Sequence, residues 1–401
     1  MYKKISIAVL ILILCLSPIA GANWISFAHN HSHDGYVDDE SDFVTNIWTF
    51  DFGSPIFSSP AISGDYLYLA SNNGQLKSID MEDGSENWSL DLKSDTNATP
   101  IIYNSTLYVG SSDSFYAIDV DKHEVIWEYS TSAPISGGAY FYEGRVYVGC
   151  DNGHLYGFDN ETGDLEFDVD LDGKLKSSPI VLNDTVYIAS DNGKMYSVDV
   201  SSNDTSWLYT TGDSIYSSPA YGDEKIFIAS TDGYFYAINE SDGSLEWKVD
   251  LRNQIIGSPT IDEHDNNVFI GSDEGNLTCI DIRDGTVKWS FHTSAPIQST
   301  PALKENLIAF GANDGSIHVL NKYTGLEEFN YNPGTILFNS PFTSSPVING
   351  NSLFEAGNDG YLYSINMDKH ETPASIFLYY SLAILAVIIV IGVVIIRKFR
   401  K

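Results

Sequence analysis

The sequence predicts an all-β fold: an eight-bladed β-propeller closed by an N-terminal strand, with a C-terminal transmembrane helix beyond it. Three observations predict it. A unit of about 40 residues repeats through the middle of the chain, one further unit is split between the two ends of that region, and an uncharged stretch lies near the C-terminus.

Each copy ends on an aromatic residue, at Trp48, Trp88, Trp127, Phe167, Trp207, Trp247, Trp289 and Phe329, with successive separations of 40, 39, 40, 40, 40, 42 and 40 residues. A Ser-Ser-Pro proline position recurs at Pro60, Pro100, Ala139, Pro179, Pro219, Pro259, Pro301 and Pro346. Each copy reads as four short strands: one after the proline, an alternating run such as Asp65 to Ala70, a third after an Asn-Gly or Asp-Gly turn, and a fourth bearing the aromatic. Glycine in those turns supplies the positive φ that a tight hairpin requires. Four strands in about 40 residues is the content of one propeller blade.

The broken unit argues for a ring. The last copy, from Pro346 to Met367, stops after three strands, whereas Trp48 within Thr45 to Phe52 precedes any complete copy. Joining the two completes an eighth blade and removes free sheet edges. An open solenoid would need capping units at its ends, and none is visible.

The chain has 401 residues, with 54 carboxylates against 21 basic residues and a net charge of −33. Residues 23–375 hold all 54 carboxylates but 15 of the basic residues, a net of −39. Such a surface repels phosphate backbones, so nucleic acid is excluded as a partner. Aromatics at 13% with 32 glycines exclude a disordered chain and favour short strands joined by turns.

Both ends address a membrane. Residues 1–22 have Lys3 and Lys4, an apolar run from Ile5 to Leu16 and then Ala20-Gly21-Ala22, the form of a signal peptide or, uncleaved, a signal anchor. Leu14 stands where a small residue would precede a lipoprotein cysteine, so Cys15 is not read as one. Residues 23–44 form a polar His/Asp linker, 45–367 the propeller and 368–375 a second linker. Ile376 to Ile396 is long enough to cross about 30 Å of hydrocarbon as a helix. The basic tail 397–401 places the C-terminus in the cytoplasm and the propeller on the extracytoplasmic side. Nine residues from Met367 to Ser375 reach about 30 Å at most, which holds the propeller close to the bilayer. Cys150 and Cys279 lie far apart in strand-like runs and read as buried free thiols.

Runs such as Gly157-Phe158-Asp159-Asn160-Glu161-Thr162-Gly163 ending in Phe167, and Ile280-Asp281-Ile282-Arg283-Asp284-Gly285 ending in Trp289, resemble the tryptophan-docking repeat Ala-x-Asp-x-x-x-Gly-x-x-x-Trp. That repeat defines the pyrroloquinoline-quinone (PQQ)-like family of quinoprotein propellers, and the resemblance covers residues 45–367. The family includes quinone-dependent alcohol dehydrogenases and a non-catalytic propeller lipoprotein of outer-membrane assembly. The resemblance implies that the aromatics wedge between blades. It also implies that a catalytic member would carry a vicinal cysteine pair over the quinone, a calcium site and long insertions between blades. This sequence has no Cys-Cys and almost no insertions. The expectation is therefore a scaffold with no cofactor and no catalysis; a quinone- or metal-dependent oxidoreductase, or a degenerate relative of one, is the alternative.

Other chemistry is sparse. No phosphate-cradling glycine loop, His-Glu-x-x-His or Gly-x-Ser-x-Gly elbow occurs. Asp168-x-Asp170-x-Asp172 begins like a calcium loop, but Pro179 stands where its glutamate belongs, leaving a solvated acidic stripe. Asp262, Glu263 and Asp265 in a lengthened turn are weak divalent-cation candidates, and more simply a polar loop. His29, His31 and His33 put three imidazoles on one side of an extended segment, a weak Zn²⁺ or Cu²⁺ candidate in a linker with no fold to fix it. Sequons at Asn30, Asn87, Asn97, Asn104, Asn160, Asn183, Asn203, Asn239 and Asn276 fit a glycosylated surface protein.

Partner contacts are sought where blade-linking loops converge on the channel. The residue three before each repeat proline is expected to face it: Phe57, Asn97, Ser136, Lys176, Tyr216, Ile256, Gln298 and Thr343. Of these, Phe57, Tyr216 and Ile256 read as apolar anchors for a peptide or, nearly as well, as blade-packing residues. The link between Phe329 and Pro346 is 17 residues against 12 elsewhere, and its Ile336, Leu337, Phe338 and Phe342 read as a docking loop for an envelope or cell-surface protein. The propeller itself is expected to be monomeric.

Overall fold

A computed structural model describes residues 48–334 and 339–367. Within them the chain forms eight four-stranded antiparallel sheets. Blade 1 runs through strands Ala61–Ser63, Tyr66–Ala70, Gln75–Asp80 and Glu86–Asp91, and blades 2 to 7 repeat this order, ending on Glu327–Tyr331. Blade 8 takes three strands, Val347–Asn349, Ser352–Ala356 and Tyr361–Asn366, and completes itself with Trp48–Asp51 from the other end. The register is antiparallel, Trp48 opposite Ser364 and Asp51 opposite Tyr361. The expected eight blades and N-terminal closure are both present.

Among the described residues no helix is long and apolar enough to cross a membrane. The expected signal, His tract and 376–396 helix, and the loop residues Ile336, Leu337 and Phe338, lie outside the described residues.

Alternation in the strands explains the sheets, and glycine placement explains how they meet. Trp48, Trp127, Trp207, Trp247 and Trp289 each donate the indole N–H to a carbonyl in the next blade, on Met81, Asn160, Glu240, Ile282 and Lys322 at 2.9–3.2 Å. Each indole lies on the glycine of that blade's last turn. Gly243, at φ 72°, is one such case: a Cβ there would stand 2.7 Å from the Trp207 ring. No side chain fits, and the positive φ would strain one anyway. Phe167 is buried against Tyr147, their centroids 5.5 Å apart, while Phe329 is half-buried. Trp88 departs from the pattern. The turn it faces carries His123 at φ 61° instead of glycine; the two rings stack at 5.2 Å, and the Trp88 indole nitrogen is buried without a hydrogen-bond partner.

The Ser-Ser-Pro motif has two separate tasks. The first hydroxyl ties the link to its own blade: Ser58, Ser177, Ser217, Ser299 and Ser344 donate to the carbonyls of Ala70, Ala189, Ala229, Gly311 and Ala356 at 2.7–3.0 Å. The second ties blade to blade. Backbone N–H groups of Ser59, Gly138, Ser178, Ser218, Thr300 and Ser345 donate to hydroxyls of Thr99, Ser178, Ser218, Ser258, Ser345 and Ser59. The Ser345-to-Ser59 bond, at 2.9 Å, crosses the closure. A hydroxyl from Ser59, Thr99, Ser178, Ser218, Ser258 or Ser345 thus joins six of the eight blade junctions around the axis, each bond worth about 1 kcal/mol.

One residue breaks the apolar pattern between blades. The fourth position of the second strand is Leu69, Val109, Val148, Ile188, Ile228, Ile270 and Phe310 in seven blades and Glu355 in blade 8. Glu355 is fully buried, with both carboxyl oxygens lacking a hydrogen-bond partner and one resting on the Cα of Gly311 in blade 7. Burial pushes its carboxyl well above the usual range. The folded state therefore holds a proton that the unfolded chain gives up near pH 4.5, and stability falls as pH rises from there toward the folded pKa. Glu355→Leu is expected to stabilise the fold by on the order of 2 kcal/mol at neutral pH. Glu355→Gln, assayed by urea unfolding from pH 4 to 8, is expected to gain on the parent as pH rises; a pH-independent difference would refute this.

Candidate functional site: the channel mouth

The first strands of the eight sheets lie innermost, so the links that lead into them surround the central axis. On the same face lie the turns between second and third strands, whose backbone is pinned to the links; the Asn72, Asp151 and Asn358 N–H groups, for example, donate to carbonyls of Pro55, Pro134 and Pro341 at 2.8–3.0 Å. This builds a two-tier mouth, links inside and turns around them.

The residues expected to face the channel occupy the inner tier. Phe57 is 39% exposed between fully buried Ile56 and Ser58, Asn97 is exposed, and Ser136, Lys176, Tyr216, Ile256, Gln298 and Thr343 are half-buried. Their surroundings divide the mouth into sectors. At blades 3 and 4, Asp151, Lys174, Lys176 and Asp191 form a charged sector, with the Lys174 ammonium 3.9 Å from Asp151 and the Lys176 ammonium 5.3 Å above the Tyr216 ring. Burial raises the Asp151 carboxyl above its usual range, against the pull of the two lysines. At blades 6 to 8 the sector is made of amides and hydroxyls. Gln298 donates to Asp273 at 3.1 Å and accepts from Asn313 at 3.3 Å, while Thr343 donates to Asn358 at 2.8 Å. Tyr216, Ile256 and Phe57 supply apolar surface between these sectors.

Phe342 is not on the mouth or the rim. It is 1% exposed and packs edge-on to Tyr363 at 5.5 Å, with its Cβ against Gly311. It stands four residues before Pro346, as Ile56, Ile135, Leu175, Ile215, Ile255 and Ile297 stand before theirs, all of them buried. It is a core residue between blades, so the docking role expected for it is withdrawn.

The lengthened acidic turn is also occupied from within. Lys322 of blade 7 reaches into blade 6 and places its ammonium 2.6 Å from Asp262 and 2.9 Å from Asp265. A protein cation stands where the sequence suggested a divalent one, and its hydrogen bond lowers the Asp265 carboxyl to about 2. In the acidic stripe, Asp168 pairs with His154 at 2.6 Å and Asp172 with Lys194. Among the described residues no group of three or more His, Cys, Asp or Glu side chains is arranged to hold a metal ion.

The side chains present do not suit a redox quinone. Cys150 and Cys279 sit buried in blades 3 and 6, so no vicinal pair exists to cover a ring, and burial pushes the Cys279 thiol up to about 12. The mouth offers hydrogen-bond donors and acceptors, charged groups and three apolar side chains, with the Ser136 hydroxyl donating to the Asp151 carboxylate at 3.3 Å.

Of the sequon asparagines within the described residues, Asn104, Asn160, Asn183 and Asn203 lie at turns of the face opposite the mouth, whereas Asn97 and Asn276 lie on the mouth side.

A family model described as outer membrane protein assembly factor BamB matches residues 44–138, 116–218 and 210–377. The quinohemoprotein alcohol dehydrogenase ADH-IIG of Pseudomonas putida is 30% identical over 105 residues, 23% of this chain and 15% of that protein. The assembly factor BamB of Yersinia pestis is 23% identical over 145 residues, 32% of this chain and 37% of its own length. The matches thus span well under half of either curated relative. The crystal structure of BamB from Moraxella catarrhalis superposes with a TM-score of 0.68 at 18% identity, covering 80% of this chain and 99% of that one. Taken with the eight repeats, the match over most of its length shows that the chain belongs to the PQQ-like propeller family of the outer membrane protein assembly factor BamB.

Proposed function

We propose that the chain is a membrane-anchored, extracytoplasmic scaffold that binds envelope proteins at its channel mouth and performs no catalysis. The observation that carries this reading is the mouth itself: a ring of mixed amide, hydroxyl, charged and apolar side chains with Phe57 exposed in it. Membership of a family described as an assembly factor supports it, as does the run from 376 to 396 followed by a basic tail. Tyr216, Ile256 and Phe57 are the anchors; the polar sectors fix orientation, as polar rims do in transient interfaces. The second reading, a quinone-dependent oxidoreductase, is favoured by the similarity to the Pseudomonas putida dehydrogenase, and the separated, buried cysteines oppose it.

A photo-cross-linking residue at position 216 or 256 of the full chain in native membranes is expected to give discrete adducts. The same residue at position 104, on the opposite face, is expected to give none. Identical adduct patterns from both faces, or none from the mouth, would overturn the proposal.

A further inference from the structure

Seven blades place a long side chain at one position of the third strand, and blade 6 does not. The position is fixed by pairing: it lies opposite the fourth residue of the second strand, as Val109 faces Tyr116, Ile228 faces Tyr236 and Ile270 faces Thr278. It is tyrosine in five blades, Tyr116, Tyr156, Tyr196, Tyr236 and Tyr363, each nearly buried. In blades 1 and 7 it is Lys77 and His318. Blade 6 alone has a short residue, Thr278.

The tyrosines share one task. Each ring reaches toward the preceding blade, Tyr156 to Tyr129 at 5.8 Å, Tyr236 to Tyr209 at 5.7 Å and Tyr363 to Tyr331 at 6.2 Å. The hydroxyls are anchored as well. Tyr116 donates to the Leu92 carbonyl at 2.9 Å and Tyr196 to the Asp172 carbonyl at 3.2 Å, both in the link that leaves the preceding blade, whereas Tyr236 and Tyr363 donate to Asp232 and Asp359 and Tyr156 accepts from Asn152, each four residues earlier in its own blade. Lys77 and His318 fill the space in other ways: the Lys77 ammonium lies 5.1 Å from the Phe50 ring, and the His318 ring 5.7 Å from Phe291.

At blade 6 the space is open. A groove of about 500 Å³ lies between blades 5 and 6, with Thr278, Ser290, Asn276 and His292 on one side and Leu251 and Arg252 on the other. Leu251 and Arg252 occupy the link positions that Leu92 and Asp172 occupy in blades 1 and 3, whose carbonyls take the Tyr116 and Tyr196 hydroxyls. The Asn276 side-chain oxygen and the His292 Nδ1 are 3.0 Å apart and leave polar groups beside the opening.

We propose that this groove binds a phenolic side chain, a tyrosine presented by a partner protein, in the space that five sister blades fill with their own. The sister blades specify the ligand: a ring against the preceding blade and a hydroxyl donated either to the link carbonyls of Leu251 or Arg252, as in blades 2 and 4, or to the carboxylate of Glu274, which lines the groove four residues before Thr278 as Asp232 and Asp359 precede their tyrosines. A single ring takes up only part of the groove, and its open side leaves room for flanking backbone. The inference rests on the scaffold reading for the source of the tyrosine, whereas the groove, on the same face as the mouth, shares none of the anchors Phe57, Tyr216 and Ile256.

The test uses the full chain in detergent with N-acetyl-L-tyrosinamide as probe, read by saturation-transfer NMR. Transfer to the ring protons is expected in the parent, falling at least tenfold in Thr278→Tyr, which restores the internal tyrosine and is expected to unfold at a higher temperature. Ser290→Trp, at an exposed position where blade 4 carries Leu208 and blade 5 Lys248, is a second block that does not depend on how Thr278→Tyr folds. Equal transfer in the parent and both variants would overturn the proposal. So would no transfer at about 10 mM probe, well above the range of useful weak binding, or saturation by N-acetylglucosamine with none by the tyrosine probe. A failure here leaves the cross-linking result at the mouth untouched, so the two readings fall separately.

Discussion

Replacing Lys322 with methionine is expected to cost about 3–5 kcal/mol, the usual loss when one partner of a buried ion pair is removed. Its side chain is 3% exposed and that of Asp262 4%, so neither charge is hydrated once the other is gone. Burial by itself pulls the ammonium pKa down, but hydrogen bonds and charge from Asp262 and Asp265 outweigh it and the net shift is upward. The pH dependence has a definite sign. The lysine contribution is complete below its ordinary pKa and is lost only as pH rises through the raised one, while the Asp265 contribution is lost as pH falls toward about 2. In Lys322→Met the Asp265 contribution is absent at every pH, so the penalty is expected to be largest at neutral pH and to shrink as pH falls from about 4, the ordinary aspartate range, toward about 2. Urea unfolding at about pH 7 and about pH 3 measures both. A loss under about 1 kcal/mol, within the range of exposed pairs, would mean that the bridge between blades 6 and 7 is not buried in solution.

Trp48→Ala is expected to cost about 3 kcal/mol, the low end for removing a large aromatic from a packed site. The side chain joins the ends of the chain three times over. Its strand pairs with Tyr361–Asn366, its N–H donates to Met81 at 3.1 Å, and its ring lies on Gly84 of blade 1 and 5.7 Å from Phe354 of blade 8. Trp207→Ala, which removes a like wedge from an internal junction with its N–H on Glu240 at 2.9 Å, is the control. Hydrogen exchange in Trp48→Ala is expected to rise first in blades 8 and 1, and in Trp207→Ala in blades 4 and 5. Loss of protection spread evenly in both variants, or a cost for Trp48→Ala below about 0.5 kcal/mol, would show that the N-terminal strand does not carry the closure.

The blade count, the closing strand and the aromatic spacing were legible because they follow from a period, which survives substitution of any one residue. Register was legible too, but an insertion hides it. Phe342 looks like a loop aromatic when counted from Phe329 and like a core residue when counted back from Pro346, and only the second count matches Ile56 and Ile297. The two tasks of Ser-Ser-Pro were not legible, since a serine hydroxyl serves its own blade or the next with equal ease. Nor was the Lys322 bridge: Asp262 and Lys322 are 60 residues apart, and nothing in either local sequence names the other. The blade 6 groove is a missing side chain, which shows only when the tyrosines of the sister blades are seen to reach across their junctions.

The proposed scaffold binds its partners without redox chemistry. The full chain, purified in detergent and titrated with pyrroloquinoline quinone and Ca²⁺, tests this most directly through the absorption spectrum of the quinone. The expected result is a spectrum unchanged by the protein, with no saturation. Saturable binding of one quinone per chain would contradict the account and make the channel mouth a cofactor site.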